Sequence, residues 1–467
     1  MDKLSVLNNY LWDYVVILAL LGCALWFTLH NRGVQFRMLR EMCILLFCPW
    51  KLTKDKKRKK SGKNEISSFG AFAMALAGRV GTGNLAGVAS AIFIGGPGAV
   101  FWMWVVALLG AATAFVENTL AQLYKRKGEG RFYGGPAYYI QHGLGAKWLS
   151  VLLAILITLS FGFAQQLVQS NTISESIAYT MGVDKIWVGV GMCVLTLLIV
   201  FGGIHRINDV SSYVVPFMAI AYIILAMIIV VMHIGQLPGV IALIVKSAFG
   251  IGPAAGGIVG VAISQGVRRG LFSNEAGEGS SPNIASTAAV THPVKQGLVQ
   301  ALGVFTDTLV ICTCTAFVIL LSTDYTAADG IVLTTQAVEA NVGHVGRYFI
   351  MVAIFLFAFT SVMANFVYAE TNVRYIFGGS ERSIFWLRLF TGAMVLAGSM
   401  MALQESWVIV DICMGVMTLC NLVALVKLSP QVARLLRHYR EQRKRGEDPI
   451  FKREHMPDIA HRLEAWD

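Results

Sequence analysis

Long apolar stretches separated by short polar segments dominate this chain. Eleven of them are long enough to cross the hydrocarbon core of a bilayer as helices, which takes roughly 20 residues. They lie at about 13–30, 68–94, 98–123, 148–180, 185–203, 210–233, 257–290, 297–321, 345–375, 383–402 and 407–428. The pattern predicts an all-α polytopic membrane protein with about 11 transmembrane helices.

The composition supports a membrane protein. The chain is 56% hydrophobic and 14% charged, whereas a soluble domain carries about 25% charged residues. The first stretch follows Asp13 and precedes a bulky basic segment, which is typical of a retained helix and not of a cleaved signal peptide. The eight cysteines lie mostly in apolar stretches, so we expect free thiols and neither a disulfide framework nor a metal site.

The net charge of +11 is concentrated in a few loops. Lysines crowd residues 51–63 and arginines crowd 434–445, and the other loops after odd-numbered stretches also carry cationic groups, whereas the opposite loops are poor in them. The long loop at 322–344 has three acidic residues and no lysine or arginine. Since cationic loops stay in the cytoplasm, the pattern predicts an outside N-terminus and a cytoplasmic C-terminus. Contact with lipid is expected, and binding to nucleic acid is not.

Two glycine-rich segments interrupt apolar stretches and resemble each other. Residues 81–90 read GTGNLAGVAS, and residues 277–286 read GEGSSPNIAS. At an offset of 196, four positions match: Gly81 with Gly277, Gly83 with Gly279, Ala89 with Ala285 and Ser90 with Ser286. Interrupted helices at matching places in two halves are the best sequence pointer to the binding site of a secondary transporter.

The positions of these interruptions predict an inverted repeat. Without the first stretch, they fall in the first and sixth of ten helices, so the second half is upside down relative to the first, as in LeuT-type transporters. The predicted units are 1–65 (an extra N-terminal helix and basic loop), 66–234 and 235–428 (five helices each) and 429–467 (a basic cytoplasmic tail). The tail has few large apolar residues, so we expect it outside the bundle.

The first interruption, Gly81-Thr82-Gly83, predicts a site for an anion. Unwinding there exposes backbone amides, and the helix that follows points its positive end toward them, which suits a carboxylate. Close packing of helices through small residues is the structural alternative.

The second interruption contains two acidic residues, Glu275 and Glu278, and follows Arg268 and Arg269. Ionisable groups at membrane depth usually face a cavity or one another. The sequence therefore leaves two hypotheses open: an Arg269–Glu275 ion pair that holds the broken helix, or a direct role in binding.

Other polar residues within apolar stretches form two smaller groups. Gln166 and Gln169 lie one turn apart, so they either join helices or recognise an amine or a carboxylate. Thr360 and Ser361 offer hydroxyls that, with the carbonyls freed by the first interruption, could form an oxygen cage for a monovalent cation. Hydrogen bonding back to their own helix is the alternative.

Four acidic residues remain within or near apolar stretches. Glu117 is accompanied by Asn118 and Gln122, which predicts an interior-facing polar patch, and Asp307 is another intramembrane acid. Asp411 and Glu370 are closer to the ends of their stretches, where we expect contact with solvent.

Several ordered blocks between residues 5 and 430 resemble the alanine or glycine:cation symporter (AGCS) family, of the sodium:alanine symporter type. The blocks are VGTGNLAGVA at 80–89, GGPGA at 95–99, FWMW at 101–104, GGPAYY at 134–139, VQSN at 168–171, VPFMA at 215–219 and RGLFSNEAG at 269–277. The resemblance, to a D-alanine/glycine-permease-like branch, implies a LeuT-like fold and cation-coupled uptake of small neutral amino acids.

The resemblance also implies which residues bind substrate and cation. The implied substrate site comprises Gly81, Thr82, Gly83, Asn84, Gln169, Phe272, Ser273, Gly277 and Asn365. The implied cation site comprises the carbonyls of Ala77 and Val80 with Phe357, Thr360 and Ser361.

The chain departs from the family pattern at three places. Ala364-Asn365 replaces a Gly-Trp pair, so an aromatic lid over the substrate is missing at this position. Arg79 replaces a small residue beside the expected cation site, where its charge could weaken or replace sodium. Glu278 stands where an apolar or small residue is usual. These departures leave substrate size and the choice between sodium and proton open.

The expected function is a symporter that imports alanine, glycine and D-alanine with sodium and needs no cofactor. A proton-coupled or cation-independent transporter of broader range is the alternative. The sequence has no Gly-x-x-x-x-Gly-Lys-Ser/Thr segment for ATP. It has no spacing that supplies a nucleophile, a base and an orienting group, so an enzyme is not expected; a channel remains a rival.

Overall fold

The computed structural model describes residues 2–48, 65–128, 131–250, 255–322 and 324–466. The lysine-rich segment at 51–63 lies outside them. In the first half the helices are α1 (Lys3–His30), α2 (Val34–Arg37), α3 (Leu39–Phe47), α4 (Ser68–Arg79), α5 (Gly83–Gly95), α6 (Gly98–Leu123), α7 (Pro136–Tyr139), α8 (Lys147–Met181), α9 (Lys185–Val200) and α10 (Gly203–Met232). A short antiparallel hairpin, β1 (Arg126–Gly128) and β2 (Arg131–Tyr133), follows α6.

The second half is also mainly helical. Its helices are α11 (Leu237–Ala248), α12 (Ala255–Asn274), α13 (Ser281–Ala285), α14 (Pro293–Ser322), α15 (Gly330–Val342), α16 (His344–Ile376), α17 (Glu381–Met400) and α18 (Leu403–Lys444). Two 3₁₀ turns, Arg453–His455 and Ala460–Arg462, follow α18.

The helices confirm the predicted fold class. Among the described residues, eight helices are long and apolar enough to span a membrane, and α5, α9 and α11 are shorter apolar helices. The stretch predicted at 98–123 coincides with α6. Both interrupted stretches divide as expected, the first into α4 and α5 and the second into α12 and α13. The assignment of residues to the two repeats stays a prediction.

Exposed apolar side chains mark the surface that faces lipid. On α10, Phe217, Ile220 and Ile224 are 70%, 58% and 56% exposed, and their spacing of three and four residues places them on one face of the helix. In water such a stripe would be costly, whereas in a bilayer it is the expected contact surface.

Helix α6 lies at the centre of the bundle, and small residues allow its neighbours to approach. A Cβ added at Gly266 of α12 would lie 2.7 Å from the Cβ of Trp102, and one at Gly297 of α14 would lie 3.0 Å from the carbonyl oxygen of Phe115. All residues of α6 from Gly110 to Leu123 are buried. The polar patch predicted around Glu117 is therefore interior, as expected.

The C-terminal segment packs against the bundle, so the prediction that it lies outside is wrong. Helix α18 continues to Lys444, and Tyr439, Phe451 and Trp466 are buried. The Trp466 indole N–H donates to the carbonyls of Gln122 and Leu123, both at 3.1 Å. The apolar residues of this segment are few, but Val432, Leu435, Leu436 and Tyr439 recur at helical spacing and form a continuous stripe.

Candidate functional site

The first break lies between α4 and α5 at Val80–Thr82. The amide of Gly81 donates to Asn84 Oδ1 at 2.9 Å, and the amide of Thr82 donates to Gln169 Oε1 of α8 at 3.2 Å. Unwinding thus frees two backbone N–H groups. The neutral side-chain carbonyl oxygens of Asn84 and Gln169 accept their hydrogen bonds. The structure brings Gly81, Thr82, Asn84 and Gln169 together in a buried cluster.

A group of oxygens lies on the other side of the same break. The Ser361 hydroxyl of α16 donates to the carbonyl of Ala77 at 2.7 Å and lies 3.5 Å from the carbonyl of Val80. Its oxygen is also 3.1 Å from the carbonyl of Phe357, which accepts from Thr360 Oγ1 at 3.0 Å. If the Ser361 proton turns toward Phe357, the hydroxyl oxygen lies beside the carbonyl oxygens of Ala77 and Val80, and oxygens are the ligands that a hard cation prefers.

Gly81 separates these oxygens from the amide cluster. A Cβ added there would collide with Ser361 Oγ and would lie 3.0 Å from Gln169 Oε1. Residue 81 must therefore be glycine for α4, α8 and α16 to approach this closely. Gly81 thus adjoins both the amide cluster and the group of oxygens.

Arg79 extends away from this group of oxygens. Its Nη1 donates to the Gln300 carbonyl at 3.0 Å and to Gln300 Oε1 at 3.3 Å on α14, while the carbonyls of Ala77 and Val80 face α16. The guanidinium is buried, and its Nε and Nη2 have no hydrogen-bond partner among the described residues.

The two broken helices cross where α5 meets the end of α12. A Cβ added at Gly83 would lie 3.0 Å from Phe272 Cδ1 and 3.1 Å from Ser273 Cα. Asp307 of α14 joins the helices, since its Oδ1 accepts from Asn84 Nδ2 at 2.6 Å and its Oδ2 from Ser273 Oγ at 2.8 Å. The sequence showed Asp307 as an intramembrane acid, but nothing in its spacing indicated these partners.

The second break has a different construction. Glu275, Gly277 and Gly279 adopt φ angles of 56°, 93° and 88°, a region that glycine enters without steric cost and glutamate seldom adopts. Glu117 of α6 accepts from the amides of Gly277 and Gly279, each at 3.2 Å. Asn421 of α18 donates to the Gly277 carbonyl at 2.9 Å. A buried carboxylate therefore holds this break open.

These contacts separate Gly277 from the other residues expected to bind substrate. Its amide and carbonyl bond to Glu117 and Asn421, and an added Cβ would lie 2.9 Å from Thr113 Cγ2. Gly277 therefore faces α6 and α18, and no contact described joins it to the first break. The sequence indicated only that Glu117, with Asn118 and Gln122 on the same helix, belongs to an interior polar patch. It did not indicate that Glu117 accepts from the second break.

The hypothesis of an Arg269–Glu275 ion pair is wrong. Arg269 instead forms a bidentate pair with Asp411 of α18, at 3.1 and 3.0 Å. Glu275 Oε2 accepts from Ser280 Oγ at 2.7 Å and from the Tyr368 hydroxyl at 3.0 Å. Residues six apart on a helix lie on different faces, and the left-handed backbone at Glu275 turns its side chain further away.

The expectation that Asp411 and Glu370 contact solvent is also wrong. They are 2% and 6% exposed, and each is paired with arginine, Glu370 with Arg374 at 2.9 Å. Both acids lie near helix ends in the sequence, but neighbouring helices cover them in the fold.

An aromatic residue near the site comes from a helix that the sequence did not indicate. Trp407 of α18 packs edge-on against Phe272, with ring centroids 4.6 Å apart, and Arg269 lies 3.9 Å above its ring. Asn365 lies one turn beyond Ser361 on α16 and is buried, and its Nδ2 has no hydrogen-bond partner in the part of the chain that the structure describes.

Two solved structures share this fold. MhsT in complex with L-phenylalanine matches with a TM-score of 0.57 and 14% identity over 86% of this chain and 93% of that chain. A manganese transporter of Eremococcus coleocola matches with a TM-score of 0.54 and 13% identity over 77% of this chain and 78% of that chain. At these identities the likeness shows a LeuT-like fold alone.

Sequence comparison is more specific. The model of the sodium:alanine symporter family matches residues 1–453. The amino-acid carrier protein AlsT of Bacillus subtilis is 46% identical, covering 99% of this chain and 97% of that protein. The probable sodium/glutamine symporter GlnT of B. subtilis is 44% identical (99% and 95%), and the sodium/proton-dependent alanine carrier of Bacillus sp. PS3 is 37% identical (84% and 92%). Together with the broken helices and the bundle of membrane-spanning helices, these matches establish that the chain belongs to the sodium:alanine symporter family of multi-pass membrane transporters.

Proposed function

We propose that this protein is a sodium-coupled symporter that imports small neutral amino acids, namely alanine, glycine and D-alanine, across a bacterial inner membrane. The observation that carries the proposal is the position of Gly81. Its amide belongs to the cluster suited to a carboxylate, and its Cα packs against Ser361 Oγ of the oxygen group suited to a cation. One residue thus adjoins both ligands.

This arrangement provides a physical route to coupling. A cation bound by the carbonyls of Ala77 and Val80 orders the backbone on which the Gly81 and Thr82 amides lie. A substrate carboxylate that accepts from those amides replaces the neutral side chains of Asn84 and Gln169. Each ligand then raises the affinity for the other by the same factor, because binding free energies are reciprocally linked.

The crossing of the broken helices supports a small substrate. Gly83 lies against Phe272 and Ser273, and Trp407 packs on Phe272, so little space is left for a long side chain near the amides. The names of similar proteins include alanine carriers, which agrees with this size.

Asn365 favours a second candidate, a transporter of broader range that accepts glutamine. Its Nδ2 is buried without a hydrogen-bond partner among the described residues, and such a group costs free energy unless a ligand satisfies it. A substrate with a side-chain carbonyl could accept from it, and the 44% identical GlnT is named a probable sodium/glutamine symporter.

Uptake into proteoliposomes tests the proposal. Labelled L-alanine, glycine, D-alanine and L-glutamine would be presented with an inward sodium gradient, with an inward proton gradient, or with neither. We expect accumulation of alanine and glycine above equilibrium when sodium is imposed. Absence of accumulation and of exchange under all three conditions would contradict transport, and ion current without amino acid would indicate a channel.

A further inference from the structure

Glu278 differs from the other two carboxyl groups at the second break. Glu117 accepts from two backbone amides, and Glu275 accepts from two hydroxyls. Glu278 is 0% exposed, and neither of its carboxyl oxygens has a hydrogen-bond partner anywhere in the described chain. An ionised carboxylate buried without a donor is very costly, so a group in this position binds a proton.

The charges around Glu278 favour the same conclusion. Glu275 on its own segment and Glu117 on α6 repel a negative charge there, and Arg79 on α4 attracts it. Tyr368 on α16 is the other titratable group close enough to interact with it. Arg79 also acts on Glu117, Glu275 and Asp307, so one cation is shared among several acids. If all three glutamates of the break were ionised, two negative charges would be uncompensated.

The surroundings do not suit a metal cation at Glu278. A hard cation such as sodium needs several oxygen ligands at once. The carboxyl oxygens of Glu117 accept from amides, and Oε2 of Glu275 accepts from hydroxyls. A metal ion would compete with these donors, whereas a proton needs one oxygen.

From these observations we infer that Glu278 is the proton-binding group through which inward proton movement is coupled to amino-acid transport. The inference rests on the proposed function and adds a coupling ion to it. A hydronium ion on the outer side gives its proton to a Glu278 carboxylate oxygen, so one O–H bond of hydronium breaks and one O–H bond of the carboxyl group forms. On the cytoplasmic side that bond breaks, and the proton passes to a water molecule, which becomes hydronium.

The location of Glu278 explains how its charge affects the transporter. It lies between Gly277 and Gly279, whose amides both donate to Glu117. When Glu278 is neutral, that arrangement is undisturbed. When Glu278 loses its proton, like-charge repulsion from Glu117 and Glu275 favours widening of the break. Helix α13 follows the break directly in the chain, so it would move with it.

The experiment uses the full-length protein in proteoliposomes that contain a pH-sensitive dye and equal sodium concentrations inside and outside, so that no sodium gradient drives uptake. External L-alanine should acidify the lumen with wild-type protein. Glu278→Gln keeps the size and polarity of the neutral form, so alanine-induced acidification should fall at least about tenfold while alanine exchange at equal pH stays within about twofold. Glu175→Gln is the matched control, since Glu175 on α8 is partly buried, has one unpartnered oxygen and lies outside the break.

Each other outcome overturns the inference. Wild-type protein that accumulates alanine with sodium but shows no alanine-induced acidification would contradict it and leave the proposed function intact. Loss of sodium entry in Glu278→Gln, with acidification retained, would assign the carboxyl group to sodium. If Glu278→Gln does not insert into the membrane, Glu278→Met serves as the second variant, and unchanged acidification in either one refutes the inference.

Discussion

Both helix breaks interrupt a long apolar stretch, but they are stabilised by different chemistry. Neutral amides from Asn84 and Gln169 accept from the backbone of the first break, whereas the Glu117 carboxylate accepts from two amides of the second. A substrate carboxylate is charged, and a hydrogen bond to a charged group contributes about 1.5–3 kcal/mol, against about 0.5–1.5 kcal/mol for a neutral one. It can therefore replace the neutral partners of the first break, whereas at the second break it would have to displace one side chain that accepts two backbone hydrogen bonds.

This difference indicates a division of labour. The first break is suited to exchange its partners with a ligand, and the second is suited to hold a fixed shape around Glu278 and to transmit a change of charge. Removal of the side chains that accept from the two breaks should therefore have different effects, on transport at the first break and on stability at the second.

Gly83→Leu should have the largest effect and reduce alanine uptake to background. The added side chain would meet Phe272 and Ser273, whose atoms are 3.0–3.2 Å from the position of a Cβ, and such contacts cannot be absorbed in a close-packed interior without displacement. Uptake is measured at matched membrane expression. Gly191→Leu is the control, because an added Cβ there meets nothing within 4 Å; normal uptake by Gly83→Leu would contradict the crossing described here.

Glu117→Gln should lower stability more than removal of either side chain that accepts from the first break, Asn84 or Gln169. The amide group has one acceptor oxygen instead of two, so an amide N–H of Gly277 or Gly279 loses its partner. We expect a loss of about 1–3 kcal/mol, seen as a lower Tm in detergent, with Glu175→Gln unchanged. An unaltered Tm would mean that the carboxylate does not hold the second break.

Gln169→Ala should show the opposite behaviour. One neutral hydrogen bond to the Thr82 amide is lost, so we expect a small change of Tm but a rise of about tenfold or less in the KM for alanine. A Tm loss as large as that of Glu117→Gln, with KM unchanged, would remove the distinction between the breaks. Gln166→Ala is the control, since Gln166 lies one turn away and donates to the Val362 carbonyl at 3.2 Å.

The double change Thr360→Ala with Ser361→Ala should raise the sodium concentration for half-maximal uptake. It removes the Ser361 hydroxyl beside the Ala77 and Val80 carbonyls and the Thr360 hydroxyl, which donates to the Phe357 carbonyl, so a hard cation is left with fewer ligands. Ser361→Ala alone should account for most of the effect, because Ser361 contacts both carbonyls. Thr391→Ala, a buried threonine on α17, is the control; identical sodium dependence in all proteins would refute the site.

Asn365→Trp should have the smallest effect on alanine itself. The change removes an amide whose Nδ2 has no hydrogen-bond partner among the described residues and replaces it with a bulky ring, so competition by glutamine and asparagine should weaken by about tenfold while alanine uptake changes by about twofold or less. Competition against labelled alanine measures this selectivity. An unchanged profile would show that residue 365 does not line the site.

The sequence predicted the helices and both breaks well because these depend on local composition. A bilayer requires long apolar helices, and glycine at positions such as 81 and 279 marks a local loss of helical geometry. The boundaries of α6 followed from the apolar run alone. Burial of the C-terminal segment did not, since its few apolar residues gave a weak signal.

What the sequence by itself determined about this protein is therefore its class, its family resemblance and the places where its helices break. Only the tertiary structure decided the partners of each polar group, such as Arg269 with Asp411 and Glu117 with the second break. Hydrogen bonds and ion pairs depend on distances of a few ångströms between helices far apart in the chain, and the residue spacing along one helix does not contain those distances. For the same reason the sequence showed Glu278 as unusual, but only the fold revealed that it lacks a hydrogen-bond donor among the described residues.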